Sequence, residues 1–285
     1  MRPVVRTALI TAAVRARESV RPDALFNDTY AMHLAGEDGV ELLDNLERSI
    51  PAASGLIPAI IRTYFIDVQL NDIYTNYGFS QVVMLGCGMD ARAFRKDYFA
   101  LQPSQEELSH ITFYELDHPE LIRLKQARLL GNNAKSLFNR VEISCDLSCD
   151  NLYTLLIDNG FNPELPTVWI AEGILIYLDE SSIHTLLETI TKLSAKESFF
   201  LCDLVSMALI SNKATEQLRN HLAAEGCPMT YGTDNPQALF SQYGWGASVY
   251  NLIDVMRLTG RFSDLPVNLN TTTPGEAYLV SAICK

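Results

Sequence analysis

From residue 81 onward the chain alternates short, apolar stretches with longer helical ones, and that alternation sets what it can fold into. QVVMLG (81–86), ITFYELD (111–117), VEISCDL (141–147), TVWIAEG (167–173), SFFLCDLV (198–205) and AYLVSAIC (277–284) read as strands. HPELIRLKQARLLG, with Pro119 near its first turn, NLYTLLIDNG and DESSIHTLLETITKLS read as helices between them. Strands apolar on both sides are buried on both faces, and βα alternation places helices over each face of a parallel sheet. The expectation is a doubly wound α/β fold, and 285 residues suit a single domain of that kind.

The remaining segments fit around this core. Residues 1–80 read as a helical cap, from RTALITAAVRARES, RPDALFNDTYAMHLAG and the longer GLIPAIIRTYFIDVQLNDIYTNYG. Residues 81–205 form the cofactor-binding core, 206–245 a helical insertion after strand five that covers the substrate, and 246–285 the closing strands. No apolar run is long enough to span a bilayer, and Arg interrupts the first residues too often for a signal peptide. The formal charge of −12, from 22 basic against 34 acidic residues, argues against nucleic acid and anionic membrane as partners. The expected location is the cytoplasm, with Cys87, Cys145, Cys149, Cys202, Cys227 and Cys284 reduced. Neither the cysteines nor His33, His110, His118, His184 and His221 show metal-ligand spacing, so no metal is expected.

The chemistry concentrates in Val83-Met84-Leu85-Gly86-Cys87-Gly88-Met89-Asp90-Ala91-Arg92, read as a buried strand, a GxG turn and a helix. Gly86, Gly88 and Ala91 also satisfy the dinucleotide pattern G-x-G-x-x-G/A. Charge separates the two ligands. A dinucleotide sets its pyrophosphate on the helix N-terminus, where Asp90 is unwelcome. Further acids stand at the following strand ends: Glu115 and Asp117, Asp146, and Glu172. A crevice ringed by carboxylates suits an ammonium, a sulfonium and ribose hydroxyls without phosphate, which describes S-adenosylmethionine. The plainer alternative for each acid is a helix cap or first-turn charge.

These residues resemble the leucine carboxyl methyltransferase and polyketide O-methyltransferase family, a branch of the class I S-adenosylmethionine-dependent methyltransferases. The likeness runs through AAVRARES, VRPDALFNDTYAMHLAG, IIRTYFIDVQL, VVMLGCGMDARAFR, FYELDHPELIRLKQARL, AEGILIYL, YGW and LTGR. It departs from the family pattern at Cys87, where Ala is usual, and at Ala91, where Thr is usual. The resemblance implies a Rossmann-like sheet of about seven strands, mostly parallel with the last antiparallel. It implies that Gly86 and Gly88 approach the methionine moiety and that Asp117 binds the ribose, with Glu115 as runner-up. Asp146 and Leu147 would hold the adenine, Glu172 would line the centre of the pocket, and Arg62 would pair with the cofactor carboxylate. Arg15 is a second candidate for that last role, the alternative being a solvent-facing helix charge.

A carboxylate acceptor needs no general base, whereas a phenol or alcohol benefits from one. His118, beside Asp117, is the candidate base, against a plain helix-start residue. Tyr177, Tyr231 and Met229 are candidates for substrate contact, and no catalytic acid or base is assigned. The reading is methyl transfer to an oxygen, carboxylate or hydroxyl, of a small molecule. Its alternatives are a protein C-terminal carboxyl acceptor, an NAD-dependent oxidoreductase, a relative without turnover and a pure interaction module.

Overall fold

The computed structural model describes residues 3–50, 56–147, 151–262 and 276–285. Its strands are β1 (Gln81–Leu85), β2 (Thr112–Asp117), β3 (Asn139–Ser144), β4 (Thr167–Ala171), β5 (Phe199–Val205), β6 (Trp245–Asn251) and β7 (Ala277–Cys284). They form one sheet in the order β3-β2-β1-β4-β5-β7-β6. β1 to β5 are parallel, and β7 lies antiparallel between β5 and β6. The chain starts at β1, winds out to β3, then crosses back to β4 on the other side of β1. That reversal opens a crevice beyond the carboxyl ends of β1 and β4, where ligands bind in such sheets.

The helices are α1 (Pro3–Ser19), α2 (Ala31–Ser49, kinked at Gly36), α3 (Ile57–Asn76), α4 (Gln105–Ser109), α5 (Pro119–Gly131), α6 (Leu152–Asp158) and α7 (Glu180–Lys192). After β5 come α8 (Met207–Ile210), α9 (Glu216–Ala224) and α10 (Pro236–Ser241), and α11 (Leu252–Leu258) follows β6. Strand positions alternate between two buried layers. Val82, Met84, Phe113, Ile170 and Leu201 pack with α1, α3, α5 and α11. Val83, Leu85, Leu116, Trp169 and Phe200 pack with α6, α7 and α10. Local signals agree with these elements: Pro119 opens α5, and the Asp179 side chain accepts the Ser182 N–H to cap α7.

One local expectation fails. No α-helix follows the glycine turn; the chain makes one 3-10 turn, Arg92–Phe94, and runs on irregularly to α4. The cause is local. Asp90 accepts the Arg92 backbone N–H at 2.7 Å, and Arg92 turns its side chain into the interior instead of continuing a helix. β6 is one of the closing strands expected over 246–285, although no apolar run marks its position. It is an edge strand paired only to β7, with Trp245 buried and Tyr250 exposed. The third strand also sits earlier than its apolar run suggests, so Asp146 and Leu147 lie on the loop beyond it. Cys149 lies outside the described residues.

Candidate functional site

The crevice holds a cavity of about 380 Å³. Its floor is the β1 turn, and the ends of β2, β3 and β4 supply Asp117, Asp146 and Glu172 to its walls. Gly86 and Gly88 have φ of +68° and +47°, a region that favours glycine. A Cβ on Gly86 would stand 2.3 Å from Ile174 Cδ1, so a side chain there would collide with the wall. Gly88 faces Ala8 of α1 across the turn, and its N–H donates to Asp117 Oδ2 at 2.7 Å.

All the residues singled out from the sequence for cofactor contact line this one cavity: Arg62, Gly86, Gly88, Asp117, Asp146, Leu147 and Glu172. Arg15, Asp90, His118 and Tyr177 line it as well. Arg15 is not a solvent-facing charge: it is buried, donates to Asp28 at 2.9 Å and reaches the Met89 carbonyl at 2.5 Å. Glu115, the runner-up for the ribose, points away from the cavity. It is wholly buried against Lys125 at 2.9 Å and Arg140 at 2.8 Å, because it shares a face with Asp117 but sits two residues back from the strand's carboxyl end, under α5. Tyr231 and Met229 are not in the lining; from that loop the structure brings in Gly226, Cys227 and Pro228. Tyr231 packs instead into the layer beneath α7 and α10.

The charged groups behind the wall form a connected set. Asp117 accepts from the Gly88 and His118 N–H groups, each at 2.7 Å. Burial raises its pKa, and those two hydrogen bonds only partly offset that. Glu172 accepts from Thr63 Oγ1 at 3.0 Å and from Arg92 Nη1 at 2.8 Å. Arg62 lies against Gly173, which lacks the Cβ that would meet its guanidinium at 2.9 Å, and bonds Asp203 at 3.3 Å. Its Nε is buried without a hydrogen-bond partner, the nearest carboxylate oxygen being Glu172 Oε1 at 4.0 Å. Asp203 also accepts the Gly173 N–H at 2.5 Å, and burial raises its pKa. Burial likewise pushes the Tyr177 hydroxyl up to about 12, so it stays a donor at neutral pH.

Sequence reasoning missed Asp203, Thr63, Asp67 and Arg92. Asp203 left a trace, a lone acid inside the apolar run FFLCDLV. The others left none, since most of their partners are remote: Thr63 and Glu172 are 109 positions apart, Arg92 and Glu172 are 80, and Arg92 and Asp67 are 25.

The cavity is roofed from two sides. Val4, Thr7, Ala8, Thr11 and Arg15 recur at helical spacing and turn one face of α1 onto it. The 226–228 loop meets that helix where Arg6 pairs with Glu225 at 2.7 Å, and where Gly226 packs so tightly on Pro3 that a Cβ would lie 2.9 Å from its ring. No helix among the described residues is long and apolar enough to cross a membrane, and they contain no metal-binding cluster.

A family model for leucine carboxyl methyltransferase matches residues 8–191. A relative from Parafrankia sp., provisionally named an S-adenosyl-L-methionine-dependent methyltransferase, is 36% identical over 204 residues. That match spans 68% of this chain and 61% of the relative, under two thirds of its length. One from Streptomyces coelicolor with the same provisional name is 31% identical over 283 residues, spanning 97% of this chain and 94% of its own. Among solved structures, a DUF574 family protein from Streptomyces avermitilis superposes with a TM-score of 0.60 at 12% identity. It covers 96% of this chain and 97% of that one, and shares its fold.

Proposed function

The chain belongs to the leucine carboxyl methyltransferase family, and we propose that it moves a methyl group from S-adenosylmethionine to an oxygen of a small molecule, carboxylate or hydroxyl. The observation that carries the reading is the convergence of the Gly86–Gly88 turn with Asp117, Asp146 and Glu172 on one cavity. Two features fit the cofactor. The positive-φ glycines expose main chain to a ligand, and the buried Arg62 Nε lacks an acceptor that a carboxylate can supply. In this reading Gly86 and Gly88 approach the methionine moiety and Asp117 takes the ribose hydroxyls. Asp146 and Leu147 hold the adenine, Glu172 lines the centre, and Arg62 receives the cofactor carboxylate. The dinucleotide alternative loses its physical basis, because no α-helix N-terminus follows the glycine turn to receive a pyrophosphate.

When bound, the cofactor would supply a methyl group on a sulfonium sulfur for transfer to the acceptor oxygen, leaving its sulfur as a neutral thioether. The protein's share is alignment and exclusion of water. α1 and the 226–228 loop close over the cavity, so the cap of residues 1–80 and the insertion 206–245 cover the substrate in this proposal. Ile174, Leu178, Cys227 and Pro228 give that region apolar walls. The protonated Tyr177 hydroxyl serves there as a hydrogen-bond donor to the acceptor oxygen, not as a base. His118 lies at the end of β2, whereas Tyr177 follows β4, with β1 between those strands. A protein C-terminal carboxylate remains the second acceptor class, since it also needs no base. The proposed location is the cytoplasm, where Cys87, Cys202, Cys227 and Cys284 stay reduced thiols.

Isothermal titration calorimetry with S-adenosylmethionine, its demethylated product and NAD tests the cofactor. Saturable binding of the first two and none of NAD is expected; binding of NAD alone overturns the reading. Methyl transfer to small carboxylates and phenols, set against peptides ending in a free carboxylate, then separates the acceptor classes.

A further inference from the structure

Arg92 is the largest charged side chain wholly shut off from solvent. Its Nε donates to Asp67 at 2.7 Å and its Nη2 to the Thr63 carbonyl at 3.2 Å. Its Nη1 lies between two carboxylates, Asp90 and Glu172, the latter at 2.8 Å. Asp90 follows β1 and Glu172 follows β4, so one nitrogen ties together the ends of the two strands that flank the crevice. Both acids line the cavity; Arg92 does not.

We infer that Arg92 is a positioning residue that sets how strongly the site prefers the sulfonium cofactor to its demethylated product, by holding Asp90 and Glu172 as a fixed pair of carboxylates on the cavity wall. The inference rests on the cofactor reading above. The two ligands share adenine, ribose and amino-acid groups and differ by one methyl and one positive charge at sulfur. Groups that touch the methyl or respond to that charge can separate them, and in a partly buried cavity the charged ones act through a lower dielectric than water. A lysine would not serve equally, because the fork of a guanidinium reaches several acceptors at once.

The surroundings show what Arg92 works against. Asp90 faces Arg92, Arg15, Lys125 and Arg95 among cations, with the Cys87 thiol, Glu115 and Asp117 nearby. Burial pushes its carboxyl up, yet these cations, Arg92 foremost, hold it below its ordinary value. Glu172 faces Arg92, Arg62 and Thr63, with Asp203 and the Tyr177 hydroxyl on the far side of Arg62. Asp67 is shared with Arg95 at 2.7 Å, which anchors the hub to α3 on the side away from the cavity.

The test is the ratio of affinities for S-adenosylmethionine and its demethylated product, measured by calorimetry between about pH 5.5 and 8.5 in the full chain. In the wild type the ratio is expected to stay flat. In Arg92→Gln the two carboxylates lose the cation that offsets them, so the ratio should rise by about tenfold at the alkaline end, where both acids are ionised, and slope downward as the pH drops and Asp90 takes up a proton. Arg92→Lys should return part of the way to the wild-type ratio. If Arg92→Gln does not fold, Arg92→Gln combined with Asp67→Asn removes the cation together with an acid outside the cavity. Equal weakening of both ligands with no pH slope, or no change at all, overturns the inference and leaves Arg92 a fold-stabilising residue. A wild type that binds neither ligand overturns the cofactor reading itself, a different and distinguishable outcome.

Discussion

The two faces of the sheet are built from alternate residues of the same strands, yet they are different materials. Toward α6, α7 and α10 the layer is apolar: Trp169, Phe200, Leu187, Ile190 and Trp245 fill it, and the indole N–H groups end on Ser194 and Thr191 at 2.9 and 2.8 Å. Toward α1, α3 and α5 the same strands carry Glu115, Glu172 and Asp203, matched by Lys125, Arg92 and Arg62. Buried ion pairs of this kind are weak sources of net stability, since desolvation offsets most of their attraction. Both faces bury apolar side chains that stabilise the fold, but only the α1, α3 and α5 side adds charged groups, and those hold the ligand groups in place.

The largest expected effect is on the apolar face. Trp169→Ala should lower unfolding free energy by about 3–5 kcal/mol, since the indole is wholly buried. Urea unfolding measures it. Cofactor affinity per folded molecule should not move; an altered affinity would mean that the two faces are mechanically coupled.

On the charged face, Asp117→Ala should reverse the pattern. Loss of hydrogen bonds from ligand hydroxyls to an ionised carboxylate is expected to weaken S-adenosylmethionine binding by about 100-fold, near 2.7 kcal/mol. The urea midpoint should change far less than in Trp169→Ala. An unchanged affinity removes Asp117 from the ribose. A smaller effect returns to the apolar face: Ser194→Ala leaves the Trp169 indole N–H without its acceptor at 2.9 Å and should cost about 1–2 kcal/mol of stability. Binding should again be untouched.

The apolar face was legible in the sequence, and the charged one only at its rim. QVVML, TVWIA and FFLCDLV announce themselves because strands buried on both sides must be apolar at nearly every position. Gly86, Gly88, Asp117, Asp146 and Glu172 could be read because each follows or ends such a strand. What lay behind them could not. Thr63 and Asp67 sit on α3 among ordinary helical residues, and nothing local says that Arg92 will reach them. The same ignorance produced the expected helix after the glycine turn: DARAFR reads as helix until Arg92 is known to turn inward. The position of β6 within the closing strands went unmarked for the opposite reason, since an edge strand with one open side needs no continuous apolar run.

The smallest effect, and the one that cuts closest between the faces, is the response to acid. Burial holds the Asp117 pKa above its ordinary value, so protonation favours the folded state. Its contribution to stability is present below the unfolded-state pKa and is lost as pH rises through the folded one. Asp67 and Asp203 have the same sign, both raised chiefly by burial, while Asp90 is lowered and loses stabilisation as pH falls. Ligand binding at Asp117 has the opposite sign to its folding term, because hydroxyls donate to the ionised form. In weakly acidic solution the affinity for S-adenosylmethionine should therefore decline, by less than about tenfold, while the urea midpoint does not fall with it. The demethylated product carries the same ribose and should decline in parallel, so the preference between the two ligands stays flat. Asp117→Asn should remove this acid slope from binding. If wild-type affinity and the urea midpoint fell together, acid would be loosening the whole charged layer rather than titrating one carboxylate, and the separation of roles between the two faces would fail.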